Sequence, residues 1–198
     1  MSDQSPIPVT SNAPTTFAWD SLNQFKGTPF PNDFPANVKR FYSPQDQVHA
    51  AFKALVSSAT SSMILSMYGE DDPELTAIIL QKAQDPKIFV QINLDSSQAA
   101  GQAEVPLVKL LEGCPSTRVA IGQSEFHRIN HLKMLVVDGL YTLSGSTNWS
   151  SDGQSKQNNE STIHMDRAIA HEATTILNAE HQVMLTQMAG KSRPSSGA

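Results

Sequence analysis

From Val38 onwards, apolar and polar positions fall into blocks whose period changes along the chain. Val48, Ala51, Phe52, Leu55 and Val56 recur at the spacing that places them on one face of a helix. Ser43-Pro44-Gln45-Asp46 precedes them with a capping hydroxyl, a first-turn proline and an acid three residues after the cap, and so predicts the helix start. Met63 to Tyr68 predicts a short buried strand. Asp72-Pro73 opens a second helix with Leu75, Ile78 and Ile79 on its apolar face. Lys87 to Leu94 alternates through Ile88, Val90 and Ile92 as a strand. A third helix is expected around Leu107 to Leu111 and a strand at Arg118 to Ile121. Two more strands follow, then one at Ser161 to Met165, and a closing helix from about Arg167 to Met188. Strands alternating with helices predict an α/β fold, a mixed sheet with helices on both faces and one domain per chain.

The blocks also divide the chain. Half of the twelve prolines fall in the first 35 residues, among Ser, Thr and Asn, which disfavours regular structure there. The same stretch holds Phe17, Trp19, Phe25, Phe30 and Phe34, more aromatics than a free tail carries. Residues 1–37 are therefore expected to be an arm, partly disordered at its tip and packed on the domain from about Phe17. Residues 38–189 form the domain, and 190–198 a disordered tail.

Composition narrows the function classes. No apolar run approaches the eighteen or so residues of a spanning helix, and no stable membrane insertion is expected. Met1 to Val9 has no Lys or Arg and no continuous apolar stretch, so a cytoplasmic location is expected. Cys114 is the only cysteine, which excludes an intrachain disulfide and a cysteine-built metal site. The net charge is −5 and the basic residues are dispersed, so any site for a polyanion must be local.

The chemistry concentrates in His131-Leu132-Lys133-Met134-Leu135-Val136-Val137-Asp138 and Gly145-Ser146-Thr147-Asn148. Asp138-Gly139 between two apolar runs signals a two-residue hairpin turn with positive φ at both positions. Val137 would then pair with Leu140, and His131 would lie opposite Ser146. On that register His131, Lys133, Ser146 and Asn148 share one face at the open end of the hairpin. A nucleophile or proton carrier, a cation, a hydroxyl and an amide together suit a phosphate-binding reaction centre.

These residues resemble the signature of the phospholipase D superfamily: His, any residue, Lys, four residues, Asp, six residues, then Gly-Ser-any-Asn. With six fixed positions at about one in twenty each, a chance match is on the order of one in a million. The resemblance implies a metal-independent phosphodiesterase in which His131 attacks phosphorus, giving a phosphohistidine that water hydrolyses. It makes Lys133 and Asn148 ligands of the phosphoryl oxygens and Ser146 an added donor. Glu160 would be the carboxylate that orients the nucleophile, although its offset from Asn148 differs slightly from the family pattern. Asp138 belongs to the motif, but its place in the turn suggests a structural role.

The family's larger enzymes carry two such motifs. Here none of His49, His127, His164, His171 and His181 is followed by Lys two residues later, so one chain supplies half a site and a homodimer is expected. This is similar to the single-motif endonuclease branch, with nucleic acid as substrate and no cofactor. Phospholipids or small phosphodiesters are the alternative substrates, and a catalytically silent nucleic-acid-binding protein is a further reading. Arg128 and Lys156, flanking the motif, are candidates for holding a polyanion. Trp149 is a candidate for stacking on a base, though a core role is the commoner use of such a position. His127 and His131 have a metal-like spacing only if both lie on a helix, and no metal site is expected.

Overall fold

The computed structural model describes residues 17–68, 71–99 and 104–191. The expectation for the arm's tip and, from 192 on, that for a tail at 190–198 fall outside these residues; Gly190 and Lys191 continue the closing helix instead. Seven strands form one sheet: β1 (Val38–Ser43), β2 (Ser62–Met67), β3 (Phe89–Asp95), β4 (Thr117–Gly122), β5 (Lys133–Val137), β6 (Tyr141–Gly145) and β7 (Asn159–Met165). Their order across the sheet is β1-β7-β6-β5-β2-β3-β4. β2, β3 and β4 run parallel, while β5, β6, β7 and β1 pair antiparallel and join the parallel half through β2–β5. The mixed α/β architecture expected from the pattern is the one observed.

Among the described residues, five helices accompany the sheet: α1 (Val48–Ser57), α2 (Pro73–Gln84), α3 (Glu104–Glu112), α4 (Ser151–Ser155) and α5 (Arg167–Lys191). α1 buries Val48, Ala51, Phe52, Leu55 and Val56, the residues whose spacing defined it. α2 begins where Asp72 and Pro73 placed it: Asp72 accepts from the Glu74 and Leu75 amides, and Pro73 sits in the first turn, where no amide hydrogen is needed. The main core lies between α1–α3 and one sheet face, lined by Met63, Leu65, Val90, Ile92, Leu135 and Val137. α5 covers the other face with Ala170, Ala173 and Leu177 against Ile64 and Val136.

Three local expectations are corrected. Ser43-Pro44-Gln45-Asp46 is not a helix cap: Ser43 ends β1 and α1 starts at Val48. The Asp46 carboxylate instead accepts from the Tyr42 and Gly27 amides, 2.8 Å each, and pairs with Lys26 at 2.5 Å. These bonds, together with Lys26 beside it, hold Asp46 below the usual carboxylate range against the opposing effect of its burial, which acts most strongly.

The second correction concerns β3, expected over Lys87 to Leu94: the strand runs Phe89–Asp95. Gln91, Asn93 and Asp95, its polar alternate positions, are all buried, two of them under α5. Gln91 bonds Asn178, and Asn93 bonds the Leu177 carbonyl and Glu180 while its Oδ1 meets His181 Nδ1 at 2.6 Å. Burial raises the Glu180 carboxyl above its ordinary value and lowers His181.

The third concerns the hairpin register. Asp138 and Gly139 do take positive φ, 53° and 59°, but the ladder pairs Val137 with Tyr141, not Leu140. Leu140 N closes the turn on the Val137 carbonyl (3.1 Å) while its own carbonyl accepts from Asp166 N (2.9 Å), so Leu140 stands as an extra residue before the returning strand. A one-residue slip exchanges the faces of every later position.

The arm packs from Phe17 onwards. A 3₁₀ segment, Trp19–Phe25, buries Leu22 completely, and Phe17 and Trp19 lie against Tyr141 with centroids 5.3 and 5.8 Å away.

Candidate active site

The site forms where β5 begins and β6 ends and where the chain leaves the carboxyl ends of β2 and β3, the edge at which α/β sheets commonly gather ligands. The corrected register, carried one residue beyond the ladder, sets Lys133 opposite Gly145 rather than pairing His131 with Ser146. The pleat therefore does not bring His131, Lys133, Ser146 and Asn148 to one face. They are placed by loops that leave the strand ends.

Lys133 opens β5 and its side chain turns back to donate from Nζ to the His131 carbonyl, 2.8 Å. Only 5% of Lys133 is exposed, and no carboxylate pairs with it among the described residues. Its nearest other partner is the face of Tyr68, 5.4 Å from Nζ to the ring centroid. Burial lowers its pKa. His131 itself is exposed, with its ring edge-on to Tyr68 at 5.5 Å. The preceding Asn130 anchors this loop, donating from its backbone to Asp95 (2.5 Å) and from its amide to Ser66 (2.7 Å). Asn130 Oδ1 accepts in turn from Leu132 N at 3.3 Å.

Ser146 and Glu160 form a second group. Ser146 N donates to the Glu160 carbonyl, and Ser146 Oγ accepts from Glu160 N and donates to Asn159 Oδ1. The Glu160 carboxylate faces β1, where it pairs with Arg40 Nε at 3.3 Å and accepts a hydrogen bond from Thr162. The structure thus joins Ser146 to Glu160 and His131 to Lys133, on strands about 5 Å apart for each step across the sheet. Asn148 Oδ1 is buried without a partner among the described residues. Gly145 makes the approach of β6 and β7 possible, since a Cβ there would lie 2.1 Å from the Glu160 carbonyl oxygen.

The remaining candidates separate by environment. Asp138 sits at the opposite end of β5, where its carboxylate accepts from the amides of Thr60, Ser61 and Ser62 and from the Thr60 and Ser61 hydroxyls. Trp149 is corrected to a core residue: it is 1% exposed and packs on Phe52 at 5.5 Å, leaving no face for a base. Arg128 is exposed in a turn closed by Ser124, next to Phe126, which is 82% exposed. Lys156 is exposed and pairs with Asp152 at 2.6 Å across one helical turn. His127 occupies the same turn as Arg128 with φ 55°, so His127 and His131 do not share a helix.

The sequence reading missed Tyr68, Asp95, Asn130 and Arg40. A polar-tipped aromatic and an acid at the carboxyl ends of adjacent parallel strands were the available signal for the first two. An open groove leads from Ser146 and Glu160 past Arg40 and Tyr42 to Phe30 and Phe34 of the arm.

Residues 52–181 match the family described as cardiolipin synthase, PLD-like domain, and the chain belongs to this phospholipase D superfamily of phosphodiesterase-type enzymes. Solved structures share the fold. Nuc of Salmonella typhimurium, a phospholipase D family member, superposes with a TM-score of 0.64 at 18% identity, over 72% of this chain and 92% of its own. NucT of Helicobacter pylori gives 0.63 at 21% identity, over 75% and 95%. Phosphatidylserine synthase of Haemophilus influenzae gives 0.58 at 14% identity, over 83% of this chain but 43% of its own. No match was found among curated proteins.

Proposed function

We propose that the protein is a metal-independent nuclease of the single-motif branch, hydrolysing DNA or RNA phosphodiesters in a site shared by two copies of the chain. The observation that carries this reading is Lys133: a buried ammonium beside an exposed imidazole with no carboxylate paired to it among the described residues. Burying a charge without a partner is costly, and a phosphoryl oxygen is the anion that would compensate it.

In the first step an imidazole nitrogen of His131 bonds to phosphorus while the P–O bond to the leaving group breaks. The leaving oxygen takes its proton from the second copy's histidine. Water then attacks the phosphohistidine, returning its proton to that histidine and freeing His131. Lys133 and Asn148 hold the phosphoryl oxygens, where charge grows in the transition state. The groove past Arg40 and Tyr42 is the path for the flanking nucleotides, with ring faces for bases and a guanidinium for a phosphate. Arg128 is a further phosphate contact. Lys156, already paired with Asp152, contributes less.

The one-domain size supports this branch, because the chain covers nearly all of Nuc and NucT but under half of the synthase. A second reading, hydrolysis of phospholipid head groups or small diesters, is favoured by the net charge of −5. Purified protein assayed with millimolar EDTA on single-stranded DNA, duplex DNA, RNA, phosphatidylcholine and bis(p-nitrophenyl) phosphate separates the two. Polynucleotide cleavage that survives chelator, with an acid-labile, base-stable fragment trapped on His131 and absent from His131→Ala, is the expected result. Activity abolished by chelator and restored by magnesium overturns the mechanism, and activity on lipid alone overturns the substrate.

A further inference from the structure

Among the described residues, the side chain of Tyr68 touches both His131 and Lys133, although it lies outside the motif. It is the first residue after β2, next to Met67, which pairs with Lys133. The His131 ring meets it edge to face, centroids 5.5 Å apart with planes at 62°, and Lys133 Nζ stands over it at 5.4 Å. The ring is itself held. Gln98 Nε2 donates to the Tyr68 hydroxyl at 3.1 Å and lies 3.3 Å from Ser97 Oγ.

Ser97 in turn donates to Asp95 from its amide (2.9 Å) and its hydroxyl (2.5 Å). The same buried carboxylate accepts the Asn130 amide immediately before His131. Tyr68 on one side of His131 and Asn130 on the other are thus both tied to the carboxyl end of β3.

We propose that Tyr68 is a positioning residue, whose ring, fixed through Gln98, sets the His131 rotamer and keeps the Lys133 ammonium inside the site. The proposal rests on the reading of His131 and Lys133 as the reacting pair. An exposed imidazole has several staggered rotamers open to it, and a packed ring removes most of them. Lys133 has a flexible four-carbon stem, and the face of an aromatic ring is one of the few uncharged surfaces that attract its head. Without the ring, a misplacement of an ångström between nucleophile and phosphorus can lower the rate on the order of a hundredfold.

The test uses the full chain labelled with ¹³C at histidine Cε1. In Tyr68→Leu the His131 signal should lose the shift caused by the ring current and move towards the free-imidazole position. On the substrate that the panel above identifies, kcat should fall by about 10–100-fold with KM within about threefold. Tyr68→Phe, which keeps the ring but loses the hydroxyl that Gln98 holds, should regain the ring-current shift with the signal broadened as in Gln98→Ala, and should recover most of kcat. Gln98→Ala, remote from substrate and leaving the ring in place, should broaden the His131 signal, and it decides the matter should Tyr68→Leu not fold.

An unchanged His131 signal in Tyr68→Leu, or in Gln98→Ala where that variant must decide, overturns the proposal. So does a wild-type kcat with the signal shifted. Because the spectrum needs no turnover, a failure of the catalytic reading, seen as an active His131→Ala, remains distinct from a failure of the positioning role.

Discussion

For Lys133 the charged form comes at a cost to the fold. Burial lowers its pKa, so the folded state binds this proton less tightly than the unfolded chain, whose lysines titrate near 10.4. The sign follows: Lys133 detracts most from stability at pH below its folded pKa, and stability recovers as pH rises from there towards the unfolded value. Lys133→Met should therefore leave the midpoint of thermal unfolding at pH 7 unchanged or raise it by about 2–4 °C, while abolishing hydrolysis. A clear drop in the midpoint would show that the ammonium stabilises the fold.

Asp138 is the converse, a motif residue whose carboxylate is fully engaged far from His131. Asp138→Ala strips acceptors from three successive amides and places alanine at φ 53°. It should cost about 2–4 kcal/mol in urea unfolding, and Asp138→Asn, which tolerates that φ and keeps one acceptor, about half. Activity per folded molecule should be unchanged in both. These two roles were legible to different degrees. The turn position of Asp138 announced its structural use, whereas nothing in the spacing shows that Lys133 lacks a counter-charge, because partners come from β2 and the loops.

The pattern located elements better than it located their mutual register. Helical periodicity fixed α1 by Val48, Ala51, Phe52, Leu55 and Val56, and Asp72-Pro73 fixed the start of α2, since both signals are local. β1 went unread because Val38–Ser43 mixes Lys39 and Arg40 into a strand, and those cations are satisfied by Asp20, Asn23 and Glu160 from distant segments. The hairpin turn was legible, but its extra residue was not, since Leu140 is claimed by Asp166.

Gly145 is the element-scale test of how β6 meets β7. Gly145→Ala would push a methyl against the Glu160 carbonyl and the Ser161 backbone, neither of which is the end of a flexible side chain. A loss of about 2–3 kcal/mol is expected, with a fall in activity of the folded variant as Glu160 is displaced. Thermal melts and initial rates at low temperature measure the two separately. A stable, fully active variant would mean that the strands part without consequence for the site.

For the whole molecule, the proposed chemistry uses two histidines where each chain has one in the motif. Co-refolding equal amounts of wild type and His131→Ala pairs chains at random. If every turnover needs both histidines, about one quarter of the all-wild-type activity should remain at equal total protein, against about one half for independent sites. A fully active monomer by light scattering would refute the shared site outright. The single motif was countable in the sequence, but the groove beside it was not readable there, because its walls come from the arm, β1 and the loop before β7.

The junction of β2 with β5 carries a consequence for how the molecule comes into being. β2 lies in the first third of the chain, yet its free edge is covered only by Lys133–Val137, some seventy residues on, and β1 finds its partner only in β7. Contacts of such sequence separation form late, after the loop-closure entropy has been met. A nascent chain therefore exposes an unpaired strand edge, prone to joining other chains, until its second half arrives. His131 and Tyr68 come from opposite sides of that same junction. On the proposed reading, a chain that has not finished folding has yet to bring His131 against Tyr68, and refolding protein should gain hydrolytic activity only as fast as the last sheet contacts close.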